Sequence, residues 1–204
     1  MWALIEDGSI TKLINNPRGM IIDDIQYSRN IFSLWSVAEK EAKGIYEVVF
    51  NNTKKKDEEY YTNTNQTFTY DADAGTVTAT YGDATAKAHA DTLFTSDDED
   101  NGLGTEGEVK VKGLKTKKIR IIKQQAASEL ARTDWYIVRK ADANTAVPSA
   151  ITNHRAAVRT KCAAMETLVT NASNTAAIET LYTYTTDGDG VTSRPLGELP
   201  TLEV

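Results

Sequence analysis

Few side chains in this 204-residue chain belong to the types that perform catalysis or bind metals. The sequence holds two histidines, His89 and His154, and a single cysteine, Cys162. A metal site needs several such ligands converging on one ion, and His154 and Cys162 stand two helical turns apart instead of one. Cys162 has small and apolar neighbours and no base close to it in sequence, as a nucleophile would require. Core packing is the simpler interpretation of His154 and Cys162.

Two acidic runs have a superficial likeness to calcium loops. Residues 97–100 read Asp-Asp-Glu-Asp, without the alternating ligand spacing or the closing bidentate glutamate of such a loop. Residues 187–190, Asp-Gly-Asp-Gly, are more simply a turn. The chain also has no glycine-rich phosphate loop and no nucleophile elbow. We therefore expect a protein that is not an enzyme and that needs no cofactor and no metal.

A basic run follows the first acidic one. Its seven charges are Lys110, Lys112, Lys115, Lys117, Lys118, Arg120 and Lys123. Ile119, Ile122, Ala126 and Leu130 recur at helical spacing, which predicts an amphipathic helix with a basic outer face. Nucleic-acid binding through 110–123 is one interpretation, but aromatic residues for base stacking are missing and the net charge is −6. A solvated helix face or an acidic protein partner fits this run better.

The single cysteine excludes an internal disulfide, and no stretch approaches the roughly 18 apolar residues that a membrane span requires. Glu6 and Asp7 follow Met1 closely, where a secretion signal would carry basic residues. We expect a protein that is made in the cytoplasm and does not enter a membrane.

The pattern of strands and helices predicts an α+β fold in two parts. Residues 1–95 should form a small antiparallel sheet with one short helix, because two hairpin signals flank Ser36, which opens a capping box with Glu39. Residues 96–113 have the composition of an acidic, glycine-rich linker. A helical module is expected over 114–185, with helices near 114–131, 150–171 and 175–184. Residues 186–204 should be an extended tail, disordered or laid on another chain.

The middle of the helical module predicts a helix–corner–helix. Thr133 and Asp134 should open a turn after the first helix, and Pro148 should start the second one. That second helix carries Arg155 and Arg159 and an apolar stripe at Ile151, His154, Val158, Cys162, Met165 and Val169. Trp135 is expected to be buried with Val158 and Cys162. Trp135→Ala should then cost about 3–5 kcal/mol.

The same region resembles a known family. The letters T-D-W at 133–135, a loop, and then H-R-A-A-V-R at 154–159 are similar to a pattern in tail assembly chaperones and tail-fibre assembly proteins of tailed bacteriophages. Those proteins usually have tyrosine where His154 stands and leucine where Val158 stands. The first half, with W-A-L-I-E-D-G-S-I and I-F-S-L-W-S, resembles phage and prophage proteins that carry this C-terminal module.

The resemblance implies a non-enzymatic tail protein and no catalytic residues. Its partners would be other tail proteins, in a multi-subunit assembly or homo-oligomer, and it would reside in the virion tail at the fibre, baseplate or tip. An assembly chaperone that leaves the mature virion is the alternative. The structural or partner-binding candidates are Asp134, Trp135, Arg155, Arg159, Phe32 and Trp35. Asp134 would cap the turn or pair with Arg155 or Arg159 and so stabilise the corner.

Overall fold

A computed structural model describes residues 1–202 and has two compact units, Met1–Thr85 and Ala86–Val204. The first unit is a curled sheet with two short helices, and the second is mainly helical. The α+β class, with a sheet followed by helices, is confirmed. The division between units falls ten residues before the end of the predicted first part.

The first unit contains nine strands and two helices, and its two predicted hairpins are both present. The strands are β1 (Trp2–Glu6), β2 (Ser9–Ile14), β3 (Met20–Ile22), β4 (Ile25–Tyr27), β5 (Ile45–Asn51), β6 (Tyr61–Thr62), β7 (Gln66–Asp71), β8 (Thr76–Tyr81) and β9 (Thr85–Ala86), which spans the junction of the units. The helices are α1 (Ile31–Leu34) and α2 (Val37–Glu41). The predicted capping box at the start of α2 is confirmed, since Ser36 Oγ accepts from the Glu39 N–H and the Glu39 carboxylate accepts from the Ser36 N–H.

The main sheet has the strand order β2-β1-β5-β8-β7 and is mixed, not wholly antiparallel as predicted. Strand β8 runs parallel to β5, with Val77 opposite Val48. Residues 52–75, which include β7, separate β5 from β8. The strand that lies beside β5 is therefore β8, the second strand of the β7–β8 hairpin, and β7 lies at the edge of the sheet. Hairpin signals determine only the pairing of neighbours in sequence.

Strand β4 was not predicted, and it pairs with β3 in a separate hairpin. The two residues between these strands, Asp23 and Asp24, both have positive φ, 50° and 60°. A type I′ turn requires this conformation at both central residues, and glycine or asparagine usually supplies it. Two aspartates are a weak sequence signal for such a turn.

Two apolar clusters form the core of the first unit. One contains Leu4, Ile14, Met20, Ile22, Ile31, Phe32 and Ile45, with Trp2, Tyr27 and Trp35 packed against it. The other contains Ala3, Val48, Val77 and Ala79. Ala3 and Leu4 are neighbours along β1 and belong to different clusters, because successive side chains of a strand point to opposite faces.

The second unit contains five helices and four short strands among its described residues. The helices are α3 (Ser96–Asp100), α4 (Leu114–Ala131), α5 (Asp134–Ala143), α6 (Ser149–Asn171) and α7 (Thr175–Tyr182), and the strands are β10 (Thr92–Leu93), β11 (Val109–Val111), β12 (Thr185–Thr186) and β13 (Thr192–Ser193). Helices α4, α6 and α7 agree with the predicted ones to within two residues. Helix α5 occupies a stretch that was predicted to be turn and loop, and that prediction is wrong.

Residues 96–113 belong to the second unit and are not a linker. A capping box joins Thr95 and Asp98 at the start of α3, and β11 pairs with β10. The Asp98 carboxylate also lies 2.6 Å from Lys110 Nζ. The charges that made this segment look unable to fold are used in local hydrogen bonds, which offset part of the cost of ordering the backbone.

Helices α4 and α6 pack against each other around Ile122, Met165 and Val169, and the predicted stripe on α6 is buried apart from the half-buried Cys162. Lys118 departs from the prediction of a basic outer face, because it is buried, with its ammonium 4.1 Å from the centre of the Tyr182 ring. A cation over an aromatic face, reached by a long apolar stem, explains how a lysine is accommodated there.

The predicted extended tail is in fact packed on the helices of its own unit. Leu196 is 0% exposed within the α4–α6 cluster, and its N–H donates to the Leu181 carbonyl. Strands β12 and β13 form a small hairpin before it. Burial of Leu196 and partial burial of Leu199 supply the apolar contacts that composition alone did not reveal. Residues 203 and 204 of the predicted tail lie outside the described residues.

Candidate interaction site

The corner between α4 and α6 is built around the buried hydroxyl of Thr133. This side chain is 1% exposed and donates to the Leu130 carbonyl in the last turn of α4, which also accepts from the Thr133 backbone N–H. Asp134 then begins α5, where a carboxylate interacts favourably with the helix dipole. The chain therefore passes from α4 to α5 through a closed turn of two residues.

Arg155 on α6 joins the parts of this corner. Its Nη1 lies 2.7 Å from the Leu130 carbonyl oxygen, 2.7 Å from Thr133 Oγ1 and 2.8 Å from Asp134 Oδ1. The guanidinium is nearly buried, whereas the Asp134 side chain is more than half exposed. The pair of Asp134 with Arg155 is present, and it is one of the three roles considered for Asp134 from the sequence. Arg159 is exposed and makes one long contact, 3.5 Å, to the Arg155 carbonyl.

A second group of charges lies beside the corner. Glu129 of α4 contacts Arg132 at 3.1 Å and His154 Nε2 at 3.3 Å. Burial alone would raise the pKa of the Glu129 carboxyl, but hydrogen bonds and the positive charge of Arg132 outweigh it, so this pKa is lowered. His154 therefore occupies the core stripe, and its Nε2 faces the Glu129 carboxylate without a hydrogen bond to it.

Helix α5 presents an apolar surface that nothing in the described part of the chain covers. None of its ten residues is buried, and its large apolar residues are exposed: Trp135 is 52% exposed, Ile137 43% and Val138 66%. Spacings of three residues place Trp135, Val138 and Ala141 along one side of the helix, and Ile137, four residues before Ala141, lies at the edge of that side. We call Trp135, Ile137, Val138 and Ala141 the α5 apolar surface. Clustered exposed apolar groups mark sites of protein–protein contact.

The prediction that Trp135 is buried with Val158 and Cys162 is wrong. Val158 is buried and Cys162 is half-buried, but the Trp135 ring lies against Tyr136 at 4.0 Å between centroids and under Arg139. The reason is that the chain continues as a helix from Asp134 instead of turning back, which carries Trp135 away from the stripe on α6.

The two candidates in the first unit have different surroundings. Phe32 is buried and its ring lies 5.1 Å from that of Trp2, so it is a core residue. Trp35 is half-buried and meets Tyr27 edge to face at 5.2 Å. Phe32 and Trp35 belong to the first unit, and Asp134, Trp135, Arg155 and Arg159 belong to the corner of the second unit.

The described residues include no group of three or more histidine, cysteine, aspartate or glutamate side chains that could hold a metal ion. Burial, followed by the hydrogen bond that Cys162 Sγ donates to Glu166, raises the pKa of the Cys162 thiol. A raised pKa disfavours the thiolate that nucleophilic chemistry needs. No helix within residues 1–202 combines the length and the apolar character needed to cross a bilayer.

Comparison with known proteins finds no match: no family model, no curated protein and no solved structure is similar to this chain.

Sequence reasoning missed Ile137 and Val138, the residues that make α5 a surface. Signals for the helix were present, because Asp134 is a favoured first-turn residue, Lys140 lies in the last turn and Asn144 follows. Asn144 has φ 51°, the left-handed conformation in which helices commonly end. The position of Asn144 after a ten-residue run marks a helix end.

Proposed function

We propose that this protein is a non-enzymatic structural or adaptor component of a bacteriophage tail and acts through protein–protein contacts made by the α5 apolar surface. The observation that carries the proposal is the uncovered α5 helix, which displays a tryptophan, an isoleucine and a valine next to a stabilised corner. An exposed aromatic anchor on a rigid support is typical of a binding surface.

The tail assignment rests on the resemblance of T-D-W and H-R-A-A-V-R to tail assembly proteins. The structure supports this assignment in one respect: Arg155 from the second motif contacts both Thr133 and Asp134 from the first. The bond between Thr133 and Arg155 is buried, and a buried network of this kind can be worth more than the sum of its separate hydrogen bonds. The motif therefore has a physical role, which is to hold α5 in place.

An assembly chaperone that leaves the particle uses the same kind of surface. Ordering of the C-terminal tail does not favour the virion component, because Leu196 is buried in its own chain and needs no neighbouring subunit. Mass spectrometry of purified virions separates the two functions. We expect to find the protein in the virions at stoichiometric level. If the virions lack the protein although their assembly requires it, the protein is an assembly chaperone and not a virion component.

The surface itself is tested by Val138→Asp in a phage whose own copy of the gene is deleted. We expect this variant to fail in restoring infectious particles, because a carboxylate would be buried in the contact. Val191→Asp is the matched control, since Val191 is a valine of similar exposure, 58%, outside α5. Equal particle yields from both variants, with both proteins folded, would contradict a role for α5.

A further inference from the structure

A groove of about 450 Å³ runs along the outer side of α4. Its lining residues are Lys112, Thr116, Ile119, Arg120, Lys123, Gln124 and Ala127. Ile119 and Ala127 supply apolar side chains, and Lys112, Arg120 and Lys123 supply positive charge. We call these seven residues the α4 groove.

The positive charges of the α4 groove are only partly neutralised within the molecule. Lys123 lies 3.2 Å from Glu166 on α6. Within residues 1–202, neither Lys112 nor Arg120 has a carboxylate at salt-bridge distance. The groove therefore suits an apolar side chain that is accompanied by carboxylates, since each would meet a complementary group.

The same unit carries a segment with that chemistry. Helix α3 exposes Asp97, Glu99 and Asp100, and Leu103 follows it with 61% of its surface exposed. The Leu103 N–H donates to the Asp98 carbonyl, and the Gly102 N–H donates to the Glu99 carbonyl. Gly102 has φ 69°, so these bonds form a Schellman motif.

In a Schellman motif the residue at the position of Leu103 normally packs on an apolar residue in the last turn of the helix. Here the corresponding positions are Asp97 and Asp98, which offer no apolar contact. Leu103 is consequently held in a defined position by two backbone bonds while its side chain stays in water. We call residues 97–103 the acidic segment.

We propose that the α4 groove of one molecule binds the acidic segment of a second copy, with Leu103 against Ile119 and Ala127 and with Asp97 and Asp100 near Lys112 and Arg120. No residue of the acidic segment lines the groove within a single molecule. Because the two surfaces are different, reciprocal exchange of segments closes a two-fold dimer, and a single contact per pair of molecules generates a ring or a filament. One groove and one segment form a small interface, so we expect association at high protein concentration. The inference is independent of the phage assignment.

Sedimentation velocity of the full chain at about 100 µM provides the first measurement. We expect dimers or larger species at about 0.1 M salt and monomer at about 1 M, because the Debye length falls from about 10 Å to about 3 Å. Wild-type protein that stays monomeric at low salt overturns the proposal.

Two complementary variants identify the surfaces. The groove variant is Lys112→Gln with Arg120→Gln, and the segment variant is Asp97→Asn with Asp100→Asn and Leu103→Ser. Each should be monomeric alone, because each has lost one side of the contact. Mixed in equal amounts they should form 1:1 dimers that grow no further, since one intact groove meets one intact segment.

The matched control is Lys117→Gln with Lys140→Gln, which removes two exposed positive charges outside the groove and should leave the association unchanged. Several results overturn the proposal. These are continued association of either variant alone, a mixture that stays monomeric although circular dichroism shows both variants folded, and binding of an acidic peptide or a DNA oligonucleotide in the groove without self-association.

Discussion

At the scale of single residues, Arg155 is the side chain on which the corner depends most. It places one guanidinium nitrogen within 2.8 Å of acceptors from Leu130, Thr133 and Asp134, which belong to the last turn of α4, the connecting turn and the start of α5. A charged donor satisfies a helix-end carbonyl more strongly than a neutral one. The arginine thus connects α6 to both helices that precede it.

Arg155→Ala should lower the free energy of unfolding of the second unit by about 1–3 kcal/mol, because the Leu130 carbonyl loses a buried charged donor. Arg159→Ala is the matched control on the same helix. It should change stability by less than about 0.5 kcal/mol, since Arg159 is exposed and makes one long contact. Urea unfolding followed by circular dichroism measures both, and equal effects would show that the corner does not depend on Arg155.

Glu129 makes the stability of the second unit dependent on pH. Because the pKa of its carboxyl is lower in the folded protein than in the unfolded chain, unfolding is accompanied by proton uptake at acidic pH. The contribution is complete above about pH 5 and is lost as pH falls below about 4.3 and through the folded-state pKa. The main cause of the lowered pKa is Arg132, followed by a hydrogen bond from the Leu202 backbone and then by His154.

We expect Glu129→Gln to be less stable than wild type at pH 7 and to lose less stability than wild type between pH 5 and pH 3. Unfolding free energies measured at several pH values would show the two curves converging in acid. Parallel curves would mean that other carboxylates carry the acid sensitivity of this unit.

At the scale of elements, α5 and α7 form a natural comparison. Helix α5 has ten residues and none is buried, whereas α7 has eight and buries Thr175 and Ile178. Intrinsic helix stability increases with length, but in proteins tertiary packing of an apolar face contributes more. The shorter helix should therefore be the more protected one.

Hydrogen exchange measured by mass spectrometry should show faster exchange of α5 amides than of α7 amides in the free protein. Opening of α7 must expose the buried side chain of Ile178 and therefore costs more free energy, while α5 can open without exposing buried side chains. Slower exchange in α5 than in α7 would indicate that α5 is covered in the free protein, by self-association or by another segment.

The exposure of Trp135 also changes the expected effect of its removal. Trp135→Ala should alter the free energy of unfolding by less than about 1 kcal/mol, well below the cost expected for a buried tryptophan. A binding defect without a stability defect is the expected behaviour of a residue on the α5 apolar surface.

At the scale of the whole molecule, the C-terminal segment completes the core of the second unit. Leu196 is fully buried among Ile122, Met165 and Val169, although more than ten residues separate it from α7. These contacts of Leu196 join the C-terminal segment to α4 and α6, which lie far from it in sequence.

Leu196→Ala should destabilise the second unit by about 2–5 kcal/mol, the cost of a large cavity in a packed core. Leu93→Ala is the control, because Leu93 is 47% exposed and its truncation leaves no cavity. Thermal unfolding of the two variants would separate them by several degrees. A small effect at Leu196 would indicate that the tail detaches without cost to the helices.

The sequence by itself determined the features that depend on neighbouring residues. Asp7 and Gly8 specified the first hairpin, Ser36 and Glu39 specified the start of α2, and apolar spacing specified α4, α6 and α7 to within two residues. Each of these features arises from hydrogen bonds or packing periodicity within one segment, so the signal is complete in the local sequence.

Only the tertiary structure decided the features that depend on distant contacts. The parallel pairing of β5 with β8, the burial of Lys118 under Tyr182, the burial of Leu196 and the exposure of Trp135 each depend on which segment lies opposite. Trp135 shows the reason most clearly. A tryptophan is equally suited to a core and to a binding surface, and the direction in which α5 leaves the corner determined which of the two it joined.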